Sequence, residues 1–328
     1  MNIPLSVLDL AVIGEGITVS QTLENSLDMA RHVEKLGYKR YWLAEHHNMA
    51  SIASSATSVL IGYIAGGTST IRVGSGGIML PNHSPLVIAE QFGTLASLYP
   101  DRIDLGLGRA PGTDQVTAMA LRRSRNISPH DFPENIQELR TYLSAENKGG
   151  IVRAIPGEGI DIPIWILGSS TDSARLAAML GLPYAFASHF APTHLHEALS
   201  LYRSGFRPSE VLSEPYAMAC VNAIAADTDE QAFELATSFF QLGMGIIRGK
   251  ARPLPPPVKS MEGIWNEFEE AAVLNMMSFS FIGSAATVKQ EMDEFVQQTG
   301  VNELMIVSHI YDHEAKKESM RILSSINR

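Results

Sequence analysis

Residues 22 to 46, TLENSLDMARHVEKLGYKRYWLAEH, carry one full cycle of the pattern on which the fold rests. In the first part, residues 22–37, Leu23, Leu27, Ala30 and Val33 recur at helical spacing and Gly37 stands where a helix would stop. The second part, RYWLAEH (40–46), is an apolar, β-prone run that ends in Glu45, His46 and His47. An amphipathic helix feeding a buried strand is the repeating unit of a parallel sheet covered by helices.

Working outward, the same alternation recurs. Helical patterns lie at PLVIAEQFGTLASLY (85–99) and STDSARLAAMLG (170–181). Strands read at LSVLDL (5–10), RYWLAEH (40–46), IRVGSGGIM (71–79), RIDLGLG (102–108), IPIWILG (162–168), PYAFAS (183–188), YAMACVNAIAA (216–226) and ELMIVSH (303–309). Eight such units predict an α/β fold of the (β/α)8 TIM-barrel type over residues 1–328 as a single domain, because eight parallel strands close at a diameter that side chains can fill. A doubly wound open sheet is the alternative. Residues 245–278 break the rhythm: this stretch contains PLPPP and the basic run Arg248-Gly249-Lys250-Ala251-Arg252. It reads as an insertion between the seventh and eighth strands, too proline-rich for a regular helix or central strand, and either a lid on the C-terminal face or a plain surface excursion.

The 328 residues carry a formal net charge of −10 without long like-charge blocks, which disfavours nucleic acid and anionic membrane surfaces as partners. The run of about 18 apolar residues needed to cross a bilayer is missing. Cys220 is the single cysteine, so intrachain disulfides and cysteine-ligated zinc drop out, and it reads as a small buried hydrophobe. MNIPLSVLDL has neither a basic region nor a small-residue cleavage site, and the expected location is cytoplasmic.

Chemistry in a barrel sits at the C-terminal strand ends. The second strand ends in Glu45-His46-His47, where adjacent side chains of a strand face opposite ways, so one imidazole is expected to face the cavity for proton transfer; taken alone, the pair reads as structural polar groups. In the third, Val73-Gly74-Ser75-Gly76-Gly77 marks either a close approach by a flat ligand or backbone, or a bulge, and the following loop adds Asn82 and His83. The fourth ends in Gly106-Leu107-Gly108-Arg109-Ala110-Pro111, a rim arginine suited to phosphate; Pro111 stands where a dinucleotide fingerprint needs its third glycine. The fifth runs through Gly168, Ser169, Ser170, Thr171, Asp172 and Ser173 into a helix, either as an anion cradle of free amides or as simple N-capping. P-loop, HExxH, GxSxG and EF-hand signatures are absent, and His194 and His196 are spaced poorly for one metal; metal is not expected.

WLAEHHN, VGSGGIMLPNHSPLVIAEQFGTL, RIDLGLGRAPG and WILGSSTDSARLAAMLGLP, in this order, resemble the bacterial luciferase-like flavin monooxygenase family in its non-luminescent, single-subunit branch; FIGS (281–284) and ELMIVSHI (303–310) extend the likeness. The resemblance implies a barrel that binds reduced FMN as co-substrate, supplied by a separate flavin reductase, and uses dioxygen to oxidise a small-molecule substrate. It implies His46 as catalytic residue. It further implies Arg109, Ser169 and the amides near Gly168, Ser170, Asp172 and Ser173 as the phosphate site, with Gly76, Gly77 (a pair that often carries a cis peptide) and Asn82 beside the ring. Gly108 and Gly168 replace a cysteine and a glutamate of the luciferases, so light emission is not implied. Relatives that use the deazaflavin F420 for hydride transfer supply one alternative, and a non-catalytic flavin-binding barrel another. A hydrolase pairing Glu45 with Asp9 ranks last. A homodimer through IGYIAGGT (61–68) and VIAEQFGTLASLY (87–99) is the implied assembly.

Overall fold

The structure, a computed structural model, describes residues 3–121, 131–250 and 252–327. Its sheet runs through β1 (Leu5–Asp9), β2 (Arg40–Leu43), β3 (Arg72–Ser75), β4 (Ile78–Met79), β5 (Ile103–Gly108), β6 (Ile164–Gly168), β7 (Tyr184–Phe186), β8 (Ala217–Ala226), β9 (Ser280–Ser284) and β10 (Glu303–Val307). All pairings are parallel, and β10 pairs with both β1 (Leu5 with Leu304) and β8 (Met218 with Glu303), which closes an eight-stranded barrel. The expected (β/α)8 barrel is therefore the observed fold, and the open-sheet alternative falls on the β8–β10 pairing.

The expected helices form, with ends set by local caps. Helix α1 (Val19–Leu36) begins earlier than its apolar stripe, because Thr18 and Gln21 make a reciprocal capping box; Gly37 ends it at φ 85. Helices α2 (Thr57–Gly67) and α3 (Pro85–Leu98) follow β2 and β4, α4 (Gln115–Leu121) and α5 (Phe132–Leu143) lie between β5 and β6, and α6 (Thr171–Leu180), capped by Ser170, follows β6. No described helix is long and apolar enough to cross a membrane.

Two features correct the sequence reading of the strands. The run 71–79 is not one strand: Gly74 pairs with Asp104 and Ile78 with Leu107, so β3–β4 spends one residue more than β5 and bulges at Gly76–Gly77, whose peptide bond is cis. A ninth lane, β9, was not among the eight strands read: it pairs with Asn222–Ala226 of β8, whereas β10 takes Met218–Asn222. The ten-residue β8 is long enough to serve both.

The segment 245–278 also differs from its expectation. It begins inside α8 (Asp229–Ile247) and contains α9 (Glu267–Met276), which starts well beyond the prolines on a capping box between Asn266 and Glu269. Prolines forbid helix only where they stand. Leu254 lies against the loop after β1, where its N–H donates to the Ile13 carbonyl (2.8 Å) and its carbonyl accepts from Glu15 N–H (2.9 Å). Thr237 exchanges hydrogen bonds with the Val258 backbone, and Met261 and Val273 join Phe239, Phe240 and Ile310 in an apolar cluster above β8. The segment is thus pinned at several points.

Inside the barrel the strands stack their inward residues in layers. The lowest is charged: buried Arg40 donates to Asp104 (2.6 Å) and Glu303 (3.0 Å), Arg72 also holds Asp104, and Ser6 and Tyr216 donate to Glu303. Burial alone would lower the Arg40 pKa, but the two carboxylates raise it. Above lie Leu8, Met218, Met305, and Trp42 edge-on to Trp165 (5.2 Å); higher still come Ala44, Cys220 and Val307. Cys220 is 5% exposed, as read from its apolar run. The wide bottom and small upper side chains leave space at the C-terminal mouth.

Candidate active site

Glu45 is the hub of the mouth. Just 1% exposed, it accepts through Oε1 from Nε2 of His47 (2.9 Å) and of His83 (2.8 Å), and through Oε2 from the Met79 N–H (3.1 Å). Burial would raise its pKa, yet His83, His47 and the Met79 amide together hold it below the ordinary glutamate value. One carboxylate thereby ties the end of β2 to the loop leaving the Gly76–Gly77 bulge. Both histidines lie beyond the end of β2 at Leu43, so strand alternation does not orient them, and His47 is spent on this contact.

His46 is half-buried and stands apart from that hub. Its Nδ1 lies 3.2 Å from the Gly112 carbonyl, and its backbone N–H donates to the Ser54 carbonyl (3.1 Å). With a carbonyl opposite Nδ1, that nitrogen carries the proton and Nε2 keeps the lone pair. Desolvation pushes the His46 pKa below its usual value, ahead of the upward pull of Gly112 and Glu45, so the ring is neutral at pH 7. The same loop is clamped a second time: His47 N–H donates to the Gly112 carbonyl (3.3 Å) and Asn82 Nδ2 to the Pro111 carbonyl (2.8 Å). Gly112 has φ 64 and its added Cβ would stand 2.7 Å from the Glu45 carbonyl, so glycine is required there.

From that loop Arg109 reaches the start of α6, with Nη1 3.3 Å from Asp172 Oδ2 and Nη2 3.5 Å from Ser170 Oγ. Ser170 accepts the Ser173 N–H (3.4 Å), and Ser173 Oγ donates to the Ser170 carbonyl (2.7 Å). N-capping by Ser170 is therefore real, and it coexists with a guanidinium poised over the helix start, where amides and dipole favour an anion. Gly168 is glycine because a Cβ would meet Ser173 Oγ at 2.3 Å. Gly76 and Gly77 likewise answer to neighbours: their Cβ atoms would lie 2.5 Å from Leu8 Cδ1 and 2.7 Å from the Gly106 carbonyl. Close packing explains these glycines, against side chains at Gly76 and Gly168 and against backbone at Gly77. Ser169 is half-buried beside them.

His46, Asn82, Arg109 and the Ser170–Ser173 turn thus line one continuous rim, linked through Gly112, Pro111 and Asp172. Glu45 and His83 belong to it as well: the sequence reading gave Glu45 a role only in the last-ranked hydrolase alternative and named His83 only as a polar residue of its loop, so their pairing with each other was missed. Asp9, the proposed acid partner of Glu45, lies elsewhere: its carboxylate accepts from Tyr41 (2.6 Å) and the Ala11 N–H (2.9 Å). His194 is exposed and stands at the N-terminus of α7 (Leu195–Ser204).

A parallel barrel with such a rim at its C-terminal mouth defines a cofactor- and substrate-binding enzyme scaffold. Residues 3–303 match the family model described as luciferase-like monooxygenase, and this chain belongs to that family. It is 52% identical over 325 residues to the luciferase-like monooxygenase of Escherichia coli strain K12, covering 99% of this chain and 97% of that one. To the N-acetyl-S-alkylcysteine monooxygenase of Bacillus subtilis it is 32% identical over 328 residues, covering 98% and 97%. Among solved structures, apo-MsnO8 superposes with a TM-score of 0.89 at 35% identity, covering 99% and 98%. At 18% identity and TM-score 0.75 the fold is shared with the oxygenating constituent of 3,6-diketocamphane monooxygenase from Pseudomonas putida in complex with FMN, covering 99% and 97%. At 14% and 0.73 it is shared with an F420-dependent secondary alcohol dehydrogenase, over the whole of both chains. Family membership supports an oxidoreductase.

Proposed function

We propose that this protein is an FMN-dependent monooxygenase that takes reduced FMN from a separate reductase and, with dioxygen, oxidises a small organic substrate in the cytoplasm. The observation that carries the reading is the single rim joining His46, Gly112, Arg109 and the start of α6. Its donor set fits a flavin mononucleotide: a guanidinium and helix amides for a phosphate, and a neutral imidazole and apolar walls for a ring. When bound, FMN supplies the electrons and the site of oxygen reaction.

The chain's own residues do the rest. Arg109 releases Asp172 to hold the phosphate through charge-assisted bonds, with the amides of Ser169 to Ser173 completing the cradle. Asn82 and the Gly76–Gly77 bulge fix the wall beside the ring. His46 Nε2, its tautomer held by Gly112, accepts a proton or hydrogen-bonds an oxygen of the reacting group. The segment 245–278 roofs the mouth through Leu254 and keeps water out. Helices α2 and α3 expose Val59, Tyr63, Val87 and Leu98, an apolar face suited to a homodimer.

The test mixes the protein with chemically reduced FMN and oxygen and follows flavin absorbance. Oxidised FMN is expected to reappear more slowly than in buffer. Arg109→Ala should weaken FMN binding roughly 10- to 100-fold, the loss of one charge-assisted contact. His46→Ala should alter the reoxidation kinetics with affinity nearly unchanged. Equal kinetics with and without protein would overturn the reading, and retention of F420 in preference to FMN would replace the cofactor.

A further inference from the structure

Below the rim the barrel encloses a narrow apolar cavity walled by Leu8, Trp42, Leu167, Met218, Cys220 and Met305, with His189, just past β7, facing it. His189 Nδ1 is buried without any hydrogen-bond partner. The chain around the ring is fixed by three hydrogen bonds. Ser188 Oγ donates to the Cys220 carbonyl (2.6 Å), Asn222 Nδ2 donates to the His189 carbonyl (2.7 Å), and Ala187 N–H donates to the Gly168 carbonyl (3.0 Å). The imidazole stands edge-on to Phe190, 4.8 Å away.

Buried polar atoms are almost always paired, and one held this firmly without a partner marks a place where a ligand supplies the missing half. The ring's charge state narrows the ligand. Desolvation, then the nearness of His309 and His46, pushes its pKa down to about 3, so at neutral pH it offers one N–H and one lone pair and no charge. Such a group recognises a neutral hydrogen-bonding edge, and the apolar walls suit the flat body behind that edge. The Ala187–Gly168 bond sets His189 one strand from the Arg109 and α6 cradle, within the span of a ring whose phosphate sits there.

We propose that His189 is a binding residue for the flavin-type ring, its Nδ1 making one hydrogen bond to a polar atom on the ring's edge. This rests on the FMN reading above. Asn222 and Ser188 act as positioning residues for it.

The experiment titrates oxidised FMN into wild-type protein, His189→Phe, His189→Asn and Arg109→Ala, reading flavin fluorescence and the visible spectrum of the bound flavin. His189→Phe should lower affinity about tenfold, the loss of one hydrogen bond in a desolvated site, and shift the bound flavin's visible band. His189→Asn, which can still donate or accept, should recover most of both. In wild-type protein labelled with 15N-histidine, the His189 Nδ1 resonance should move on adding FMN, a readout that holds even if the phenylalanine variant fails to fold. Arg109→Ala weakening FMN while both His189 variants match wild type and the resonance stays still would overturn the inference and leave the FMN reading intact. Unchanged affinity in Arg109→Ala, with no FMN binding to wild type, would remove both.

Discussion

Arg40→Met tests the charged floor of the barrel. Methionine keeps an unbranched aliphatic stem and removes the guanidinium, whose carbon lies over Trp165, 4.8 Å from that ring's centroid. The floor holds three cations, Arg40, Arg72 and Lys39, against two carboxylates, Asp104 and Glu303. Removing one partner of a buried pair costs about 3–5 kcal/mol when the other is left bare. Here neither is bare: Asp104 keeps Arg72 and the Trp42 N–H (3.0 Å), and Glu303 keeps Tyr216 (2.8 Å), Ser6 and Lys39 (3.3 Å). The charges that remain balance two to two. The expected loss is therefore the lower end, about 3 kcal/mol. Asp104→Asn is the harsher change, since it leaves three cations facing one carboxylate, and should cost about 5 kcal/mol. Urea unfolding followed by tryptophan fluorescence reads both, because Trp42 and Trp165 flank the network. A neutral or stabilising Arg40→Met, or an Asp104→Asn no worse than it, would refute the charge-balance argument.

Three further outcomes are expected. Gly77→Ala drives a Cβ to 2.7 Å from the Gly106 backbone carbonyl and should destabilise by about 1–3 kcal/mol, whereas Gly108→Ala meets the movable Met79 sulfur at 2.8 Å and should cost under about 1 kcal/mol; urea midpoints compare them. His309, buried against Phe239 with its pKa pushed down mainly by desolvation to about 3, binds its proton later than the unfolded chain does as pH falls. Stability should thus decline below about pH 6.5, by about 2 kcal/mol from this group between pH 7 and 5, and the slope should flatten in His309→Phe; parallel slopes would contradict this. Glu45→Gln removes the charge that both His47 and His83 donate to, and should cost about 2 kcal/mol at pH 7. Because the folded Glu45 pKa is depressed, its contribution is present above the unfolded glutamate value and disappears as pH falls through the folded one, so the variant and wild type should converge in acid denaturation curves.

Local pattern carried the barrel. Strand and helix recurrence depends on side chains a few residues apart, and parallel strands buried on both faces leave continuous apolar runs that are visible without any partner. The rim residues were legible for the same reason, since strand ends are local: His46, Arg109 and Ser170 could each be placed at the top of a strand. What stayed hidden lies in relations between distant segments. The bulge at Gly76–Gly77 exists only as a mismatch of register against β5. The β9 strand was missed because β8's length matters only once β10 has taken its lower half. Glu45 became a hub when His83, 38 residues away, reached it. His189, just past the strand read at 183–188, carried no signal in the sequence, and only closure of the barrel buried its Nδ1 without a partner. Periodicity reports which face a residue shares with its neighbours in the chain; burial, register and the partner of a charge are set by whatever the other strands bring alongside.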